Sequence, residues 1–366
     1  YGGTQDNGTP GGPSGTRNTV GIRSSDWVRI VGGDGFQARV DPEDPAVVYG
    51  MSQGARISRV DMRTGETTSI APPHADEVGD TVLWHWDIPL TISRFDHQRI
   101  YALGSRLARS DQRGEGWYWI SPNLSRGIDR DTLEVMGRIW PENAVWKNVF
   151  TNDYGIGVAF SESPFDQDSL VVGTDDGLIQ ITEDGGDTWR EIDSFPGVPS
   201  LIYVSCVVAS RHDPDRIYAL FNNHKRGDFK PYVLKSEDRG RSWTTITGGL
   251  PNGHVAWDLI EDPENEDLLF LGTELGLWMS PSGGRGWSPL GKQAGLPTIP
   301  VRDLEIHEGR GDLVVATFGR GFYVLDDYTP LRGVPPAFFQ GGGIFPIRDA
   351  FVYEPIRYYS AGSGSG

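Results

Sequence analysis

The chain has 366 residues and a formal net charge of −17, which argues against binding to a phosphate backbone, because such binding needs clustered Lys and Arg. We therefore expect no nucleic-acid partner. No apolar run in the sequence reaches the length that crosses a membrane, so we also expect no membrane insertion. The 49 glycines and 25 prolines, without a long helical stripe of apolar residues, predict an all-β chain with many turns.

In chain order, the apolar runs group into seven similar units. The first unit, 1–30, contains a Gly-rich turn and the run from Trp27 to Ile30, and it looks like the later part of a unit. The other six contain up to four short runs separated by turns; they are 37–70, 90–120, 157–192, 207–246, 256–290 and 301–325. Four-stranded units repeated at intervals of about 40–50 residues are typical of β-propeller blades. The sequence therefore predicts a propeller of seven four-stranded blades.

The two chain ends have separate roles in this prediction. We expect one propeller domain over residues 1–355 and a flexible Gly/Ser tail or linker over 356–366. The first unit lacks its innermost strand, and propellers close by completing one blade from both chain ends. The missing strand is therefore expected from 349–353, or upstream of Tyr1 in a longer precursor.

Four turns share one pattern and are each followed by a tryptophan. The turns are 110–114, 182–186, 236–240 and 280–284, and the tryptophans are Trp117, Trp189, Trp243 and Trp287. Asp carboxylates accept hydrogen bonds from nearby backbone N–H groups, Gly takes the left-handed position, and the indole can cover the turn. The last turn departs from the pattern, because Ser282 stands where Asp would.

The pattern Ser-x-Asp-x-Gly-x-x-Trp resembles the Asp-box, or BNR, repeat of sialidases, sortilin-type receptors and xyloglucanase-type glycoside hydrolases. With the segments 1–8, 33–36, 173–178 and 319–327, it makes the chain similar to secreted bacterial proteins described as sortilin-like or BNR-repeat glycosyl hydrolase-like. This resemblance implies a secreted protein, extracellular or periplasmic, in which the propeller is one part of a longer polypeptide.

Candidate site residues lie just before each innermost strand, because the innermost strands of a propeller line a central channel. Aromatic and acidic side chains occupy several of these positions. The candidates for catalysis are Asp34, Asp87 and Asp153, and those for substrate binding are Trp84, His85, Trp86, Tyr154, Tyr203, His254, Trp257 and Arg302. Such a mixture suits a sugar, whose ring packs on aromatic side chains while its hydroxyls bond to polar ones. The alternative is that each Trp seals a gap between blades.

Asp34 is the main catalytic candidate by resemblance. The stretch from Gly32 to Phe36 is similar to one that bears a catalytic Asp in the second propeller of xyloglucanase-type enzymes, although it is one residue shorter here. The alternative is a structural Gly-Asp-Gly turn. Glycoside hydrolysis needs a second carboxylate at roughly 5 Å or 6.5–9.5 Å. The resemblance implies that this partner comes from another propeller, unless Asp87 or Asp153 replaces it.

Two function classes stay open at this point. The first, which we favour, is a binding module that recognises a glycan, a peptide or a neighbouring domain of its own precursor through the channel face. The second is a glycoside hydrolase, or one half of a two-propeller glycosidase, acting on β-glucan or xyloglucan-type polysaccharide. Neither class needs a cofactor or a metal, and the scattered His residues lack metal-ligand spacing.

Overall fold

Short antiparallel strands recur along the chain in this computed structural model, which describes residues 1–75, 79–147, 153–292, 294–334, 348–349 and 352–353. Five four-stranded sheets and one three-stranded sheet each join strands that are consecutive in sequence. In four pairs of neighbouring sheets the first strand of one contacts the first strand of the next, as in β-propeller blades around a common axis. The six sheets are numbered here as blades one to six.

The strands have the following bounds. The N-terminal pair is β1 (Thr9–Gly11) and β2 (Val28–Val31). Blade one contains β3 (Ala38–Val40), β4 (Val47–Ser52), β5 (Arg56–Asp61) and β6 (Thr67–Ser69). Blade two contains β7 (Leu90–Ile92), β8 (Ile100–Leu103), β9 (Leu107–Ser110) and β10 (Tyr118–Trp119). A small hairpin, β11 (Glu134–Val135) and β12 (Arg138–Ile139), follows.

The second half of the ring is more regular. Blade three contains β13 (Gly157–Glu162), β14 (Leu170–Thr174), β15 (Ile179–Thr182) and β16 (Arg190–Ile192). Blade four contains β17 (Tyr203–Ala209), β18 (Ile217–Asn223), β19 (Asp228–Ser236) and β20 (Thr244–Thr245). Blade five contains β21 (Ala256–Glu261), β22 (Leu268–Thr273), β23 (Gly276–Pro281) and β24 (Ser288–Pro289). Blade six contains β25 (Val301–His307), β26 (Asp312–Thr317) and β27 (Phe322–Leu325). Four short 3-10 helices span Ser24–Asp26, Arg130–Thr132, His224–Arg226 and Thr329–Gly333.

The predicted count of seven blades is wrong, because the described residues form six. The strands β1 and β2 pair with each other in a two-stranded sheet and supply no innermost strand. This pair lies between the last and first blades: a Cβ placed on Gly50 of β4 would be 2.6 Å from Val31, and one placed on Gly2 would be 2.3 Å from the Phe322 ring. The pair therefore packs on its neighbours without forming a blade.

The predicted C-terminal strand cannot be placed, since Ala350 and Phe351 lie outside the described residues, as does the tail 356–366. Arg17 Nε donates to the carbonyl oxygen of Val352 at 3.4 Å, which ties this segment to the N-terminal region.

Apolar layers between successive blades form the core. Strands β4, β14 and β22 are buried along their entire length, in keeping with their position in the middle of each sheet. One layer joins Ile181 of blade three to Val204 and Phe221 of blade four. Blades two to five are covered on both faces in this way, so their middle strands are continuous apolar runs.

The turns that share the Asp pattern are closed by side-chain hydrogen bonds. Asp184 Oδ1 accepts from the Thr188 backbone N–H at 2.9 Å and from the Thr182 hydroxyl at 2.7 Å. Asp238 repeats this arrangement with Ser242 and Ser236. In the first and last turns, Gln112 and Ser282 stand at the Asp position, and the hydroxyls of Ser110 and Ser280 still accept from backbone N–H groups.

In three of the four turns, the indole N–H of the following tryptophan joins its blade to the preceding one, whereas Trp243 Nε1 has no hydrogen-bond partner. Trp117 Nε1 donates to Ile70 O at 2.9 Å, and Trp287 Nε1 donates to Ile246 O at 2.7 Å. Trp189 makes the equivalent bond at 3.3 Å. The sequence predicts that these residues cover their own turns, and the indole N–H groups of Trp117, Trp189 and Trp287 also connect neighbouring blades.

Candidate functional site

One end of the ring gathers the loops that precede each innermost strand and the loops between the second and third strands of each blade. Antiparallel strands alternate in direction, so these two sets of loops lie at the same end. Contacts between them confirm this: Asp175, between β14 and β15, accepts hydrogen bonds from the backbone N–H groups of Gly155 and Ile156 before β13 at 3.0 and 2.8 Å. We call this end the mouth face.

A repeated β-bulge sets which side chains reach the mouth face. In blades three to six the register shifts near the start of the innermost strand, between residues 157/159, 204/206, 256/258 and 301/303. Trp257 and Arg302 are the residues left without a partner in blades five and six. A bulge turns the side chain of its extra residue away from the regular alternation, which places these two side chains at the mouth.

Trp257 and Arg302 form a stack. The Arg302 guanidinium carbon lies 3.4 Å from the centroid of the Trp257 ring and 5.1 Å from that of Phe318. Glu274 holds both partners, accepting from Trp257 Nε1 at 2.8 Å and pairing with Arg302 at 3.5 Å. His224 packs on Trp257 with ring centroids 5.1 Å apart. Trp257 is therefore covered, and the exposed aromatic ring of this group is Phe318, which is 63% exposed.

A second group surrounds Tyr203. The His85 ring lies 6.4 Å from the Tyr203 ring, and Lys225 Nζ lies 5.9 Å from its centroid. His85 Nδ1 is 2.8 Å from Asp87 O, which fixes the loop before β7. Burial, with a smaller effect of Lys225, lowers the pKa of His85. His85 is consequently neutral at physiological pH and can exchange hydrogen bonds with hydroxyl groups.

Three aspartates lie close together at the channel: Asp258 and Asp303 belong to innermost strands, and Asp87 belongs to the loop before β7. Burial, and then the charge of Asp303, raise the pKa of Asp87 to about 7. Burial also raises the pKa values of Asp258 and Asp303, which hydrogen bond to each other. Asp258 accepts from Leu304 N at 2.8 Å and from Cys206 Sγ at 3.2 Å. Two carboxyl groups in contact hold one proton between them, so this cluster carries less negative charge than its composition suggests.

Asp34 lies apart from this cluster. Its Oδ1 accepts from the backbone N–H of Asp6 at 2.9 Å, and its own N–H donates to Gln53 Oε1 at 3.2 Å. The N-terminal turn thus holds Asp34, whereas the charged groups acting on Asp87 are Asp303 and Arg39. The bond to Asp6 N is consistent with a structural Gly-Asp-Gly turn, and the catalytic role of Asp34 stays a prediction.

Two further tryptophans have different environments. Trp84 is buried, 7% exposed, and lies 6.1 Å from the Trp119 ring, so it packs within the apolar layer between blades one and two. Trp86 is half-buried, and its carbonyl oxygen accepts from Gly54 N at 3.2 Å. For Trp84, packing between blades is the interpretation that fits.

The remaining predicted residues lie around the rim. Asp153 is exposed, while burial raises the pKa of the neighbouring Tyr154 to about 12. His254 Nδ1 accepts from Trp278 Nε1 at 3.2 Å, with the two rings 5.1 Å apart. His254 is therefore held against blade five.

Sequence reasoning missed the loops between the second and third strands. His224, Lys225, Glu274 and Phe318 belong to these loops and contact the predicted residues Trp257, Tyr203 and Arg302. The alternation of strand direction could have identified them, since every second loop of a blade reaches the same end.

Several buried polar atoms at the mouth face have no hydrogen-bond partner; they are Asp87 Oδ1, Tyr154 Oη, Asn222 Nδ2 and Arg302 Nε. Buried polar atoms are normally satisfied, but similar atoms also lie elsewhere in the ring, among them Tyr49 Oη, Arg216 Nε and Trp243 Nε1, so they do not single out the mouth face. Among the described residues, no group of three or more His, Cys, Asp or Glu side chains is arranged to hold a metal ion.

Comparisons with known proteins agree with the fold. The chain is 29% identical to a xyloglucanase of a Paenibacillus species over 162 residues, which is 40% of this chain and 16% of that protein. It is 28% identical to the xyloglucanase Xgh74A of Acetivibrio thermocellus over 206 residues, or 52% of this chain and 23% of that protein. The chain thus matches less than a quarter of either relative.

A solved structure gives the same indication. The GH74 xyloglucanase of Xanthomonas campestris superposes with a TM-score of 0.50 at 15% identity, covering 78% of this chain and 43% of that one. No protein-family profile matches the chain. The chain is therefore an all-β propeller with distant similarity to GH74 xyloglucanases. No helix among the described residues is long and apolar enough to cross a membrane.

Proposed function

We propose that this propeller belongs to a glycoside hydrolase acting on a β-glucan or xyloglucan-type polysaccharide, and that the sugar chain lies on the mouth face. The observation that carries the proposal is the exposed Phe318 ring beside the Arg302–Trp257 stack, at the same end of the ring as Asp87 and Asp303. A sugar presents an apolar ring face to the aromatic side chain and hydroxyls to the charged groups. The similarity to xyloglucanases supports this choice of substrate class.

The residues also favour a particular acid. A general acid must be protonated near the working pH, and enzymes achieve this by burying a carboxyl group beside another. Asp87 has this property, with a pKa raised to about 7 by burial and by Asp303. A second carboxylate would come from Asp303 or from another part of the protein, because hydrolysis needs two. We therefore assign the acid role to Asp87 rather than to Asp34.

Binding is tested with xyloglucan by isothermal titration calorimetry on the parent and two variants. We expect Phe318→Ala to weaken binding about tenfold, since losing an aromatic–sugar contact costs on the order of 1.4 kcal/mol. The matched control is Phe165→Ala, which removes an exposed aromatic ring, 48% exposed, from the turn between β13 and β14 at the opposite end of the ring. Equal affinities for all three proteins would refute binding at the mouth face.

Hydrolysis is tested on xyloglucan and β-glucan oligomers. We expect Asp87→Asn to lower the rate about 100-fold, a typical effect of removing a general acid, and Asp34→Asn to retain most of it. Full activity of Asp87→Asn would refute the assigned role. If the parent binds xyloglucan without cleaving it, this propeller is the binding half of the enzyme.

The other class, a module that binds a peptide or a neighbouring domain, predicts no affinity for xyloglucan in the same titration. Secretion, and membership of the Asp-box and sortilin-like group, are part of the proposal. They rest on the four turns of the shared pattern, two of which close around Asp184 and Asp238. Detection of the native protein in culture supernatant or periplasm tests secretion.

A further inference from the structure

Blade four has an irregular hairpin at the mouth face, where β18 turns into β19. The strands pair on both sides of this point, but three residues of β19, 229–231, oppose a single residue of β18. Pro231 has no N–H group and cannot donate to the ladder there. A bulge of this kind turns side chains out of the sheet, and Phe229 and Lys230 are exposed. We call residues 222–231 the basic hairpin.

Side-chain hydrogen bonds hold the basic hairpin in one conformation. His224 Nδ1 lies 2.9 Å from Asn222 Oδ1, and Asn222 itself is buried. Asp228 Oδ2 accepts from the Tyr232 hydroxyl at 2.6 Å and from Asn223 Nδ2 at 3.2 Å. The carboxylate of Asp228 is therefore bound to neutral groups of the hairpin. Because the hairpin has this shape before a ligand arrives, less entropy is lost on binding.

Positive charge gathers in this hairpin, although the protein is acidic overall. The chain has 50 Asp and Glu against 33 Lys and Arg. Residues 224–230, however, contain Lys225, Arg226 and Lys230 with a single carboxylate, that of Asp228. In the part of the chain that the structure describes, none of these three cations has a carboxylate within ion-pair distance. The hairpin is thus a patch of net positive charge.

Direct contacts join the basic hairpin to the rest of the mouth face. The His224 and Trp257 rings are 5.1 Å apart, and Trp257 in turn stacks with Arg302, which lies beside Phe318. Phe229 O accepts a hydrogen bond at 2.9 Å from the backbone of the loop before blade five. A sugar chain that packs on Phe318 can therefore extend to the hairpin without leaving the mouth face.

The titratable groups around the hairpin reflect its charge. Burial, and then the positive charges of Lys225 and Arg302, lower the pKa of His224. On the channel side, burial raises the pKa values of Asp87 and Asp175 to about 7, so each is partly protonated at neutral pH. An anionic group at Lys225 therefore meets positive charge from the hairpin and reduced negative charge from the channel.

The distribution of charge selects the kind of anion. A nucleic acid or another dense polyanion is not expected, because the chain is acidic overall and would repel it. A few cations suffice, however, for carboxylates spaced along a polymer. The rings of Phe229 and Phe318, 52% and 63% exposed, offer apolar surfaces to sugar rings. This combination of few cations and exposed aromatic rings suits a polysaccharide with occasional acidic units.

We infer that the basic hairpin is a subsite for a uronic acid unit, whose carboxylate pairs with Lys225. The inference rests on the proposed function, since the acidic unit belongs to the sugar chain that lies on the mouth face. It specifies the substrate class as a β-glucan or xyloglucan-type polysaccharide that carries carboxylate groups. Arg226 and Lys230 add attraction at longer range, which salt screens.

The test compares two forms of one polysaccharide by titration calorimetry: xyloglucan, and xyloglucan whose primary hydroxyls have been partly oxidised to carboxylates. We expect the parent to bind the oxidised form about fivefold more tightly, at the upper end of the effect of an exposed ion pair. High salt should reduce this preference. The methyl ester of the oxidised form is the ligand control and should bind like xyloglucan.

Substitutions of Lys225 assign the preference to the hairpin. Lys225→Gln should remove most of the preference and keep the affinity for xyloglucan, whereas Lys225→Arg should retain the preference. Lys225→Glu should make neutral xyloglucan the better ligand. The matched control is Lys235→Gln, which makes the same change of charge on β19 at the opposite end of the ring, where Lys235 Nζ pairs with Glu237 at 2.9 Å.

The outcomes separate this inference from the proposed function. Equal affinities of the parent for the two forms, or a preference that Lys225→Gln retains, overturn the acidic subsite and leave the proposed function. A preference that depends on Lys225, with unchanged affinities in Phe318→Ala, supports the subsite and overturns binding at Phe318. Polyglutamate that binds as tightly as the oxidised form identifies a peptide partner and overturns the saccharide subsite. No affinity for either polysaccharide overturns both proposals.

Discussion

Replacing Glu261 with Ala should separate blade four from blade five. Glu261 ends β21 in blade five and is 1% exposed. Its carboxylate accepts from three groups of blade four: the Ser210 hydroxyl at 2.9 Å, the Arg211 backbone N–H at 2.6 Å and the Tyr218 hydroxyl at 3.2 Å. Glu162 makes the equivalent bonds to blade two. Each of these two buried glutamates therefore joins one pair of blades: Glu162 joins blades two and three, and Glu261 joins blades four and five.

The magnitude follows from the donors left behind. A buried donor without an acceptor costs about 1–3 kcal/mol, and removing one partner of a buried charged network typically costs about 3–5 kcal/mol. Water can enter the space left by the side chain and accept hydrogen bonds from some of these donors, which limits the loss. We therefore expect Glu261→Ala to lower the free energy of unfolding by about 3–5 kcal/mol. Tyr218→Phe removes one bond and should cost about 1 kcal/mol.

Urea denaturation followed by far-UV circular dichroism measures these changes, with the slope m compared between variants. Glu66→Ala is the control, since Glu66 is an exposed glutamate before β6 and its loss should change stability by less than about 0.5 kcal/mol. A Glu261→Ala protein that loses under about 1 kcal/mol with an unchanged m would refute the idea that this carboxylate joins the blades.

Two other predictions concern stability. The pKa of Asp87 rises from its ordinary 3.8 to about 7 in the folded protein, so between these values the folded state binds more protons than the unfolded state and stability falls as pH rises. The drop in melting temperature from pH 5 to pH 8 should therefore be smaller in Asp87→Asn than in the parent, and equal drops would contradict the raised pKa. Trp287→Phe should lower the free energy of unfolding, measured by urea denaturation, by about 1–3 kcal/mol, because the bond to Ile246 O is lost. Trp243→Phe should lower it less, because Trp243 Nε1 has no hydrogen-bond partner. Equal losses in the two variants would show that the indole N–H of Trp287 does not stabilise the contact between blades.

The strands could be predicted from the sequence because each unit repeats a local pattern. The innermost strands of blades three, five and six begin at Gly157, Ala256 and Val301, where the predicted units begin. The number of blades could not be predicted in the same way. The segment 1–30 has a turn and a strand-like run, but a blade also needs an innermost strand packed between two neighbours, and β1 and β2 pair only as a two-stranded sheet.

The chemistry of the mouth depends on how the ring brings distant residues together. Trp257 and Arg302 were each identifiable by position, but nothing local shows that the guanidinium of one blade covers the indole of the previous one. Asp87 likewise has an ordinary sequence environment, and its raised pKa comes from enclosure in the channel and from Asp303 in the last blade. Because these effects cross from one blade to another, the residues of the site follow from the repeat, whereas their charge and exposure follow from the assembled ring.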